Sequence, residues 1–124
     1  MEPLKELAEE LKQKGYEVYA WMDERYNSYE RRTDYTRIVY TKNGSNVASV
    51  GYDSFDNLHF SREYVSNMYS GSSCSMDEEL DWSKTVLEMA EDAANLPIPS
   101  FVGKHIPYGN MKGFLKTYSF YYKI

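Results

Sequence analysis

Two hydrophobic periods alternate along this chain. Leu4, Leu7, Ala8 and Leu11 follow the i, i+3, i+4, i+7 spacing of one helical face, Pro3 suits a first helical position, and Gly15 after Lys12 and Lys14 makes a natural C-cap. A helix is predicted over 3–14. Tyr16, Val18, Ala20 and Met22 then alternate with Glu17, Tyr19, Trp21 and Asp23, which reads as a first strand. The polar stretch 27–33 reads as a connection. Asn43-Gly44 between two β-rich runs is a hairpin signal, because glycine supplies the positive φ of a tight reversal. Taking Lys42-Asn43-Gly44 as a three-residue loop sets Thr41 opposite Ser45 and Ile38 opposite Ala48. That pairing collects Ile38, Tyr40, Ala48, Val50 and Tyr52 on one face, whereas a two-residue loop scatters them. The Ile38 face is therefore read as the core face. Arg37, Val39, Thr41, Val47, Ser49 and Gly51 point the other way, a set only half polar, as on a partly covered face.

A turn at 53–57 leads to a third strand over 58–64. Residues 65–75, with Ser66, Ser70, Gly71, Ser72, Ser73 and Ser75, are predicted to hold no regular element. Ser75-x-x-Glu78 reads as a capping box. The helix it opens carries Leu80, Trp82, Val86, Met89, Ala90 and Ala93 on its apolar face, and Pro97 and Pro99 stop it. Asn110 is a candidate cap for a short helix over 111–116. Tyr118, Phe120, Tyr122 and Ile124 alternate as a final strand. The expected fold is α+β: one domain over 1–124, with an antiparallel sheet of three to four strands and two main helices packed on one face.

Composition narrows the chemistry. A single cysteine, Cys74, excludes an internal disulfide, and with two histidines no zinc-type Cys/His cluster is expected; neither is a metal or a cofactor. The N-terminus lacks a secretory pattern and no run approaches a membrane span, so a cytoplasmic location without membrane contact is expected. The net charge of −5 and a pI near 5.0 argue against direct nucleic-acid binding. Acids concentrate at Asp77, Glu78, Glu79, Asp81, Glu88, Glu91 and Asp92, while Lys104, Lys112, Lys116 and Lys123 follow without one. The bland account lays these segments side by side; the sharper one makes an acidic surface for a basic partner.

No phosphate loop, dinucleotide glycine pattern, nucleophile elbow or HExxH is present. No catalytic residues are assigned. His59 and His105 read as structural or surface histidines, and Cys74 as a half-buried loop thiol rather than a nucleophile. The candidate binding residues are Arg62, Tyr64, Tyr69, Ser72, Ser73 and Ser75. Free N–H groups at a helix N-terminus beside small hydroxyl residues can hold an anion; the competing reading is that Ser75 caps the helix and the rest is loop. Thirteen tyrosines are the other oddity. Strand propensity explains many, but Tyr26, Tyr29 and Tyr69 fall in predicted loops, where a contact surface is the alternative.

IleValTyrThrLysAsnGlySerAsn, then ValGlyTyrAspSerPhe, PheSerArgGluTyr and SerGlySerSerCys before an acidic helix, resembles a family of small proteins encoded by phages, prophages and conjugative elements. The likeness covers residues 35–96 and implies a mobile-element origin, with no catalytic residues to transfer. Where that family's loop is basic and contains proline, this chain has Ser66-Asn67-Met68. The leading expectation is a non-enzymatic interaction protein of a phage or mobile element that binds a host protein, acting as an inhibitor of host defence, with a homodimer through an edge strand as a subsidiary form. The alternative is a small-ligand binder that holds an anion or nucleotide at the Ser/Gly loop and Arg62.

Overall fold

The computed structural model describes residues 3–31, 33–44, 46–65, 72–97, 106–107 and 111–124. Helix α1 (Pro3–Gln13) buries Leu4, Leu7, Ala8 and Leu11. It ends as its sequence predicts. Gly15 adopts φ +92°, with Gly15 N–H donating to Lys12 O and Tyr16 N–H to Leu11 O, the paired bonds of a Schellman cap. Strand β1 (Glu17–Trp21) follows. The expected polar connection then contains a helix, α2 (Glu24–Glu30), whose start is fixed by the Asp23 carboxylate accepting from Arg25 N–H. Arg31, at φ 56°, leaves it in the left-handed region.

Strands β2 (Arg37–Thr41), β3 (Ala48–Tyr52) and β4 (Leu58–Val65) form the expected meander. The register differs by two residues: Ile38 pairs with Val50 and Tyr40 with Ala48. The connection is longer than three residues because Asn46 is a second left-handed position (φ 64°) beyond Gly44 (φ 80°). A shift of two keeps every side chain on its expected face. Ser72–Ser75, expected to be irregular, is strand β5, paired antiparallel with β4 from Tyr64↔Ser72 to Ser61↔Ser75. The open edge of β4 supplies hydrogen bonds that the local sequence does not advertise.

The helix expected from Ser75 starts ten residues later. Asp77–Glu79 makes only a single 3-10 turn with no side-chain cap. Helix α3 (Val86–Asn95) opens at Thr85, whose hydroxyl accepts from Glu88 N–H while the Glu88 carboxylate accepts from Thr85 N–H. Strand β6 (Ile106–Pro107) pairs with the end of β4, and helix α4 (Met111–Thr117) follows. Asn110, its expected cap, lies outside the described residues. The final strand is short: β7 (Tyr122–Lys123) pairs with β1, while Tyr118 to Tyr121 turn back over α4.

The result is α+β, with an antiparallel sheet in the order β5-β4-β3-β2-β1-β7 and β6 beside β4. It is larger than the three to four strands expected. One face buries Val18, Ile38, Tyr40, Val50 and Phe60 under α1 and α3. The Tyr40 hydroxyl donates to Ala90 O at 2.6 Å. The other face is also covered: Val39 and Val47 pack with Met111 and Phe114 of α4, flanked by Tyr19, Tyr118 and Tyr121. Among the described residues no helix is long and apolar enough to cross a membrane, and no group of acidic, His and Cys side chains is placed to hold a metal.

Candidate functional site

Strand alternation divides the residues expected to form an anion site. Arg62 points to the α3 face, where its Nε and Nη2 donate to Ala93 O at 3.0 and 2.8 Å and Nη2 donates to Leu96 O at 2.6 Å. A cation there satisfies the last carbonyls of α3 and complements its dipole. Arg62 is thus committed to the core. Tyr64 is buried against Cys74. Ser73 and Ser75 stand opposite Glu63 and Ser61, the β4 residues that face away from Arg62. Ser72 is paired in register with Tyr64; Tyr69 lies outside the described residues. Because Ser75 precedes a single 3-10 turn, no α-helix N-terminus stands beside these serines.

The other candidates are accounted for locally. His59 Nδ1 is 2.5 Å from an Asp77 carboxylate oxygen, and the second oxygen accepts from Phe60 N–H. His105 lies outside the described residues. Cys74 is buried, rather than half-buried in a loop, and burial pushes its thiol pKa up, away from what a nucleophile needs.

On the opposite face, the sheet carries a row of polar groups under aromatic rings. Arg37 on β2 lies over Gly51 of β3: a Cβ there would meet Arg37 Nε at 3.1 Å and Thr36 O at 3.2 Å. A side chain at this position would require these neighbours to give by a few tenths of an ångström. Arg37 Nη1 donates to Ser49 Oγ at 3.0 Å, and Ser49 Oγ donates to Glu63 Oε1 at 2.8 Å. Arg37 Nη1 and Glu63 Oε1 are 4.0 Å apart. Trp21, Phe114, Tyr118, Phe120 and Tyr121 line the space over this row with Ser73 beside it, forming a half-open cavity of about 200 Å³. The rings brace one another, with centroids 4.8 Å apart for Trp21–Phe120 and 5.0 Å for the stacked Phe120–Tyr121. Phe120, 51% exposed, stands at the mouth.

The electrostatics of this cavity follow from burial. Glu63 is only 5% exposed, and desolvation pushes its carboxyl pKa above the ordinary range, against the opposing pull of the Ser49 hydroxyl and of Arg37. Burial likewise raises the Tyr121 hydroxyl, with Arg37 lowering and Glu63 raising it. A guanidinium donor and a carboxyl acceptor therefore sit next to each other, the carboxyl largely withdrawn from water and the guanidinium 27% exposed. Such a floor can bind a polar group, and the rings can stack on a flat one.

The strand alternation puts Arg37, Ser49 and Gly51 on this face without marking them as a site. Glu63, which alternates with Arg62, is not among the residues that the sequence singles out. The signal in the sequence is a charged residue on each of the two strands that flank β3, both facing a partly apolar side, together with a C-terminal run carrying aromatics on both of its faces. No family model, no curated protein and no solved structure matches the chain.

Proposed function

We propose that this chain acts by binding, and that it holds a small polar ligand in the aromatic cavity between β2, β4 and the C-terminal run. The observation that carries this reading is Glu63. A buried carboxylate can accept about four hydrogen bonds, and among the described residues its side chain receives one, from Ser49. Among the described residues Ser61 Oγ, not a Glu63 oxygen, is the sealed polar atom without a partner, so the remaining acceptor capacity of Glu63 is open to a group that enters the cavity. It is suited to a site that a ligand completes. The volume is below the ~300–1,000 Å³ of pockets for drug-sized ligands, so one ring system or one end of a larger molecule fits. Thermal shift against a panel of nucleosides, amines and sugars tests the reading, since a ligand at about 100 times its Kd adds roughly 2.7 kcal/mol. A compound that stabilises the wild type and not Phe120→Ala supports it. No shift with any compound counts against it.

A second reading makes the chain a non-enzymatic interaction protein of a phage or mobile element that blocks a host defence protein. It is favoured by the half-exposed Phe120 and Tyr122 at the β7 end and by the resemblance over residues 35–96. Retention of one host protein by the wild type and its loss with Phe120→Ala and Tyr122→Ala supports this reading; equal retention by both removes that surface from it. A homodimer formed through the outer edge of β5 is its subsidiary form. Light scattering that finds only monomer at high concentration removes that form.

A further inference from the structure

Building on the cavity reading, we infer that the ligand is a guanine-type heterocycle, a flat ring system whose edge presents a carbonyl acceptor followed by two N–H donors. Three features of the floor and walls match this pattern. First, Arg37 is donor-only and Glu63, when ionised, acceptor-only, and they lie side by side with Nη1 and Oε1 4.0 Å apart. A carbonyl facing Arg37 and adjacent N–H groups facing Glu63 use both, with the carboxylate engaged by two parallel hydrogen bonds. Second, the two charges offset one another, so the floor favours a neutral ligand. A guanidinium or ammonium that approached Glu63 would also approach the Arg37 cation. Third, the walls are aromatic, and a π-face of any base stacks on such rings.

Size and charge narrow the source. A cavity of about 200 Å³ takes a base and leaves its sugar outside, on the Phe120 side. The net charge of −5 opposes a polyanion, which favours a free nucleoside or nucleotide over a nucleic-acid strand. Adenine has the same rings but presents a single N–H donor group beside a ring acceptor. It leaves the carboxylate with one donor fewer.

Isothermal titration calorimetry of the full chain with guanosine, inosine and adenosine tests this assignment. The expected order is guanosine tightest, inosine weaker through loss of the exocyclic amine, and adenosine at least tenfold weaker than guanosine. Glu63→Gln should weaken guanosine at least tenfold. Since Glu63 is buried, circular-dichroism melts must show that this variant folds; Phe120→Ala, at the exposed rim, provides a second test and should weaken guanosine severalfold. Adenosine binding as tightly as guanosine overturns the assignment, as does guanosine affinity unchanged in both folded variants. If no nucleoside binds but another compound stabilises the wild type and not Phe120→Ala, the cavity is a ligand site and the guanine assignment is wrong. If nothing in the panel binds, both fall.

Discussion

At the scale of single residues, two buried carboxylates are held in opposite circumstances. Asp34 is nearly inaccessible, and its oxygens accept from Leu4 N–H at 2.9 Å, Lys5 N–H at 3.0 Å, Tyr35 N–H at 2.8 Å and the Tyr52 hydroxyl. It therefore caps α1 from thirty residues away. Asp34→Ala should cost about 2–3 kcal/mol, from N–H groups left without acceptors at a helix N-terminus, and urea melts would read the loss directly. Glu63 is held with fewer donors, and its raised pKa has a definite consequence. The folded protein keeps this proton to higher pH than the unfolded chain does, so between the ordinary glutamate value and the raised one stability falls as pH rises. The cost is absent below that window and complete above it. Glu63→Gln should flatten this part of the stability profile; denaturant melts at a series of pH values would show it, and an unchanged slope would trace the dependence to another group.

At the scale of elements, ends are decided by side chains that reach the exposed backbone groups. The start of α3 depends on the reciprocal Thr85–Glu88 box. Thr85→Ala should cost about 1 kcal/mol, measurable as a lower midpoint in urea, whereas Ser75→Ala should leave the helix unaffected because no α-helix begins there. The far end of α3 depends on Arg62, a residue of the sheet. Strand β5 illustrates the converse: four residues of serine and cysteine become a strand because β4 offers them a ladder.

At the scale of the whole molecule, the sheet is buried on both faces. Ile38 and Val39 are adjacent, point in opposite directions and are each 0% exposed. Ile38→Ala should cost about 2–5 kcal/mol through lost burial and a residual cavity, and Val39→Ala about 1.5–3 kcal/mol through lost burial under α4. Equilibrium melts of the pair decide it. A negligible loss for Val39→Ala would mean that α4 and the C-terminal aromatics do not close the second face, and would remove the roof of the Glu63 cavity with it.

Local sequence was sufficient for those parts of the fold whose physics is local. The α1 stripe and its Gly15 cap, the alternation of β1 to β4 and the assignment of Ile38 and Val39 to opposite faces all follow from periodicity and turn chemistry. Even the wrong hairpin register kept its faces, because an error of two residues preserves the parity of a pleated strand. Two features gave a misleading local signal: a Ser-x-x-Glu pattern at Ser75 that opens no α-helix, and a polar stretch that becomes α2. Tertiary structure decided the rest. The place of Arg62 near serines in the sequence suggests an anion ligand, yet strand alternation turns Arg62 toward the last carbonyls of α3. Glu63, Arg37 and Trp21 belong to three different strands, and Phe120 and Tyr121 to the C-terminal run. Their convergence depends on the sheet order and on α4 closing the second face, a non-local arrangement that no window of the sequence contains.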